Sequence, residues 1–119
     1  MSASSSQTGG NLPDKSKMTS EELLDYLTGL SNEEKIQELA SLFFTIGEIA
    51  LFIDMDEDSL RSKIKYEKQS KESIAYRKGV MSTNIKLRFD TRRFALAGNP
   101  QAEEEMKQYY TRQKLAENA

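Results

Sequence analysis

The sequence predicts an all-α protein: a tri-helical domain with a tight central turn, followed by an antiparallel hairpin built on one long helix. Three observations carry that expectation. Only two prolines occur in 119 residues, and alternating β-branched runs are scarce. Ser/Thr-x-x-Glu patterns, the sequence form of a helix capping box, precede successive apolar stripes of helical period. One strong break, Gly98-Asn99-Pro100, divides two long helical patterns near the C-terminus as a stop, a cap and a first-turn proline.

Residues 1–18 are Ser/Gly-rich with few large apolar groups, too little to offset the entropy of ordering, so a disordered tail is expected there. Thr19 and Glu22 open a short helix within 19–30, with Leu23, Leu24 and Leu27 on its apolar face and Gly29 at its end. Ser31 and Glu34 open the next helix, EEKIQELASLFF, whose inward stripe is Ile36, Leu39, Ala40 and Phe43. This helix begins the domain expected over residues 31–66.

Thr45 and Glu48 form a third capping-box pair, and Ile49, Ala50 and Ile53 fall on one face of the helix that follows. Asp54 and Met55 interrupt the period. Asp is one of the few residues that tolerates a left-handed turn backbone. Asp56 then suits the cap of a further helix with Leu60 and Ile64 facing inward. Ala50 supplies the low bulk that two steeply crossing helices need. The set Ala50, Ile53, Asp54, Met55, Asp56, Ser59, Leu60 and Ile64 resembles the helix-turn-helix motif of DNA-binding proteins.

Ser70 suits the cap of a long helix from about Lys71 to Ala97, the first arm of a hairpin expected over 70–115. Gly79 inside it points to a kink or a close contact. Ile74, Met81, Ile85, Phe89 and Leu96 fall along one face at ~100° per residue, and Tyr76, Val80, Leu87 and Phe94 fall roughly opposite. One face is expected to take the last helix through Met106, Tyr109 or Tyr110. The other then needs a second cover, either the tri-helical domain or another copy of the chain, and Val80, Leu87 and Phe94 are the candidate oligomerisation residues.

The absence of histidine and cysteine removes the usual transition-metal ligands, the commonest general base and any disulfide framework, and it suits a cytoplasmic setting. The cluster Asp54, Asp56, Glu57, Asp58 fails as a calcium loop, because Ser59 and Lys65 stand where Gly and Glu are required. No Gly-rich phosphate loop occurs, and the longest apolar run, IALFI, is far short of a membrane span. No catalytic residue, cofactor or metal site is expected.

Charge is sharply segregated. Residues 1–60 hold 3 Lys/Arg against 12 Asp/Glu, whereas residues 61–93 hold 11 against 3. Such a basic block is the electrostatic footprint of a polyanion partner or of an acidic protein surface. The DNA-contact candidates are Arg61, Ser62, Lys63, Lys65, Lys68, Lys71, Arg77 and Lys78, continued by Lys86, Arg88, Arg92 and Arg93. Asp56, Glu57 and Asp58, at the start of the second motif helix, would repel phosphates. The expected contact therefore falls at the Arg61/Lys65 end or on the downstream block.

The motif TIGEIALFIDMDEDSLRSKI, the YRKG at Tyr76–Gly79 and the AGNPQAEEEMKQYY break at Ala97–Tyr110 together make residues 31–115 similar to phage terminase small subunits. The resemblance implies a non-enzymatic protein that binds viral double-stranded DNA, partners a terminase large subunit and assembles as a homo-oligomer through its hairpin in the host cytoplasm. A helix-turn-helix transcriptional regulator and a protein-interaction adaptor with a purely structural motif are the alternatives.

Overall fold

The computed structural model describes residues 17–118, and every regular element in that range is helical. Most of the tail expected over 1–18 lies outside the described residues. The described residues up to Ser31 and those from Asn32 onward form two separate compact units. In the first, α1 (Ser20–Thr28) starts in a complete capping box: Thr19 N–H donates to Glu22 Oε1 at 2.8 Å, and Glu22 N–H donates to Thr19 Oγ1 at 3.1 Å. Gly29 ends it in a right-handed conformation, φ −83°, so its glycine freedom is not used there.

The second unit contains α2 (Asn32–Ser41), α3 (Ile46–Phe52), α4 (Glu57–Tyr66), α5 (Lys71–Leu96) and α6 (Pro100–Glu117). Local chemistry sets the starts. Thr45 and Glu48 complete a second capping box. Asp56, Ser70 and Asn99 accept from the backbone N–H groups of Ser59, Ser73 and Ala102 at 3.0, 3.1 and 2.9 Å. Each such cap contributes about 1 kcal/mol.

The ends of α2, α3 and α5 share one geometry. Phe44, Met55 and Asn99 N–H groups donate back to Leu39, Ala50 and Phe94 carbonyls, while Phe43, Asp54 and Gly98 donate to Ala40, Leu51 and Ala95. These are Schellman motifs, and their left-handed residues are Phe43 (φ 64°), Asp54 (φ 58°) and Gly98 (φ 96°). Asp54 and Gly98 stand where the sequence places them. Phe43 does not continue the inward stripe of α2: the helix stops at Ser41, the chain turns, and the ring is 52% exposed.

Ile36, Leu39 and Ala40 of α2, Ile46, Ile49 and Ala50 of α3, and Leu60 and Ile64 of α4 make the core, together with Ala75 and Gly79 of α5. Full burial of an Ile or Leu contributes about 1.5–3 kcal/mol. α5 packs chiefly along α2, then on α6 and α4. The segments expected as a 31–66 domain and a 70–115 hairpin are therefore parts of one compact unit. At the α2–α5 crossing a Cβ on Gly79 would fall 2.9 Å from Ala40 Cβ and nearer still to the Gln37 carbonyl oxygen. The Thr83 hydroxyl donates to the Ser41 carbonyl, capping the C-terminal end of α2.

α6 does not lie on either apolar stripe of α5. In the second half of α5 the half-buried residues are Asn84, Thr91 and Ala95, which form the strip between the stripes, and Arg88 on that strip stacks on Tyr109 with its guanidinium 4.2 Å from the ring centre. Ala102, Met106 and Tyr109 are the α6 residues drawn in. Small side chains let the two backbones approach, so Ile85, Phe89, Leu87 and Phe94 all stay exposed.

Two stability outcomes follow from these contacts. Gly79→Ala should lower unfolding stability by about 1–3 kcal/mol through overpacking, despite a helix-propensity gain of about 1 kcal/mol. Phe43→Gly should raise it by roughly 1 kcal/mol, because a bulky residue in the left-handed region costs about 1–2 kcal/mol. Urea denaturation monitored by circular dichroism measures both.

Candidate nucleic-acid interface

The expected DNA residues run from the outward side of α4, round the α4–α5 corner, onto α5. Hydrogen bonds build that corner. Ser70 Oγ donates to the Lys63 carbonyl at 3.3 Å, and Ser73 Oγ, fully buried, donates to the Ile64 carbonyl at 2.8 Å. Arg77 reaches back across it, donating from Nη2 to the Lys68 carbonyl at 2.5 Å and from Nε to Ser73 Oγ at 3.3 Å. The last carbonyls of α4 form the negative end of its dipole, so cations gathered there are favoured locally.

The structure sorts the candidates by what already engages them. Arg61 Nη2 lies 2.7 Å from Glu57 Oε2, one turn earlier on α4, and the Glu57 carboxylate rests against Gly47 in the first turn of α3. Lys71 Nζ lies 3.0 Å from Glu33 Oε1, and the hydrogen bond and charge of Glu33 hold its ammonium above the ordinary lysine value. Arg77 belongs to the corner. Lys63 is half-buried beside a shallow depression that it lines with Asp58, Ser59, Ser62 and Glu67. Lys65, Lys68 and Lys78 are exposed, and among the described residues their ammonium groups make no ion pair.

The outward side of α4 thus carries Lys65, exposed and without an ion pair among the described residues, beside a neutralised Arg61, with Asp58 and Ser62 exposed nearby. Asp56 spends its carboxylate on the cap and Glu57 on Arg61. Farther along α5, Arg92 lies over Phe89 at 5.2 Å and Arg93 pairs with Asp90 at 3.2 Å. Of the candidate oligomerisation residues, Leu87 and Phe94 are exposed and Val80 is half-buried. Ser73 is the residue that sequence reasoning missed. Its place three residues after the Ser70 cap, in the first turn of α5, was the available signal.

Among the described residues, no group of three or more carboxylates converges to hold a metal ion, and no helix is long and apolar enough to cross a membrane. Comparison with protein-family models, curated proteins and solved structures returned no match.

Ser73→Ala strips the buried Ile64 carbonyl of its donor and should lower stability by about 1–3 kcal/mol. Lys65→Ala, exposed and unpaired, should stay within about 0.5 kcal/mol of the unmodified chain. Paired denaturation curves separate the structural residue from the available one.

Proposed function

We propose that this chain is a non-enzymatic, DNA-binding small subunit of a viral DNA-packaging terminase, which recognises viral double-stranded DNA and assembles as an oligomer. The observation that carries the reading is the charge segregation: 11 of the 17 Lys/Arg residues fall within residues 61–93, on the outer side of α4, the α4–α5 corner and α5. Phosphate contacts from such a block give salt-sensitive affinity with little base readout. In this reading the helix-turn-helix formed by α3 and α4 docks by its C-terminal end. Lys65, Lys68 and Lys78 make the leading contacts, because no salt bridge has to break first. The exposed apolar stripes of α5 support the oligomer, and the terminase large subunit is the partner, in the host cytoplasm.

The internal pairing of Arg61 and Lys71 favours one second reading, an adaptor in which the motif is structural and residues 19–60 bind a basic protein.

Gel-shift titration of duplex DNA at two salt concentrations tests the first reading. Affinity should fall as salt rises, and each of Lys65→Glu, Lys68→Glu and Lys78→Glu should weaken binding and flatten the logarithmic salt slope by about 0.9 per lost contact. Arg61→Glu should act less, since Arg61 is already engaged. Absence of binding at low salt would discard the DNA reading in favour of the adaptor.

A further inference from the structure

Two apolar surfaces of the second unit stand uncovered, and they are not equivalent. One is the corner after α2, where Leu42, Phe43 and Phe44 are 56%, 52% and 41% exposed. The Thr83–Ser41 hydrogen bond sets this corner beside the α5 flank that bears Leu87, one turn after Thr83. The other surface is the opposite flank of α5, where Met81, Ile85 and Phe89 are each more than half exposed. α6 runs along the strip between the flanks, so a single straight helix holds the two surfaces apart.

Backbone strain singles out the corner. Phe43 occupies the left-handed region at φ 64°, a conformation that a bulky side chain adopts only against a steric penalty. The strain leaves a large ring in solvent rather than in the core. Charge separates the two surfaces in the same sense. α2 and α3 carry Glu33, Glu34, Glu38 and Glu48 against Lys35, with Glu33 paired to Lys71, whereas the second half of α5 carries Lys86, Arg88, Arg92 and Arg93 against Asp90. Phe, Met and Arg side by side on an exposed flank are also the composition of an interface centre.

A two-fold dimer could cover both surfaces only if they lay in one continuous patch, and they lie on opposite flanks of α5, whereas a head-to-tail contact covers both and sets an acidic region against a basic one. Resting on the oligomeric reading above, we infer that the Leu42–Phe44 corner of one copy receives the Met81–Ile85–Phe89 flank of the next.

Two variants of the full chain test this by complementation: Leu42→Ser with Phe43→Gly at the corner, and Ile85→Ser with Phe89→Ser on the flank. Sedimentation and light scattering at high protein concentration should show an oligomer for the unmodified chain and a monomer for each variant alone. Their equimolar mixture should form a two-chain species, since the flank of the corner variant meets the corner of the flank variant and nothing can add further. Helical circular dichroism checks that each variant keeps the fold. Ile85→Gln alone replaces the flank variant if the double change lowers helicity. A monomeric unmodified chain would overturn the oligomeric reading together with this contact and leave the surfaces to a different protein. A corner variant that still assembles, or a mixture of folded variants that stays monomeric, would overturn the head-to-tail contact alone.

Discussion

The close crossing of α2 and α5 at Gly79 is the constraint on which the second unit depends. With no side chain at that position, the α5 backbone comes against Gln37 and Ala40, and Ile36 and Leu39 can then reach the core shared with α3 and α4. Any added carbon would lift α5 away from α2 along its first half. The same crossing sets the Thr83 hydroxyl on the last turn of α2, so a packing contact and a helix cap are secured together. A glycine that weakens an isolated helix thereby strengthens the folded one.

Because α5 is held through its first half, its second half extends with α6 alone for support. The hairpin interface is made from Ala95, Thr91, Ala102 and a Tyr109–Arg88 stack rather than from the large apolar residues. Small residues give the closest backbone approach and leave both stripes of α5 free. The apolar exposure of the hairpin is thus a consequence of how the helices are spaced, and it underlies both the oligomeric reading and the head-to-tail contact.

The candidate interface shows how far charge in the chain differs from charge on offer. The basic block was visible by counting, and so was the acidic start of α4. Counting could not show that Arg61 folds back on Glu57, that Lys71 meets Glu33 from a distant helix, or that Arg77 closes the α4–α5 corner. Arg61 and Glu57 are one helical turn apart, and that pairing was available from spacing alone. Lys71–Glu33 was not, because nothing local brings α2 alongside the start of α5. Once these pairs are formed, Lys65, Lys68, Lys78 and Lys86 remain as exposed cations with no ion pair among the described residues.

By itself the sequence determined the all-helical class, the capped starts at Thr19, Thr45, Asp56, Ser70 and Asn99, and the left-handed turns at Asp54 and Gly98. Each rests on hydrogen bonds or backbone preferences spanning a few residues, which a local pattern records. The tertiary structure alone decided that α2 ends before Phe43, that Ser73 is a buried donor, that the close contact expected at Gly79 is made with α2, and that α6 lies between the stripes of α5. Those outcomes depend on which helices meet and how closely, and the apolar period of a helix names a face without naming its partner.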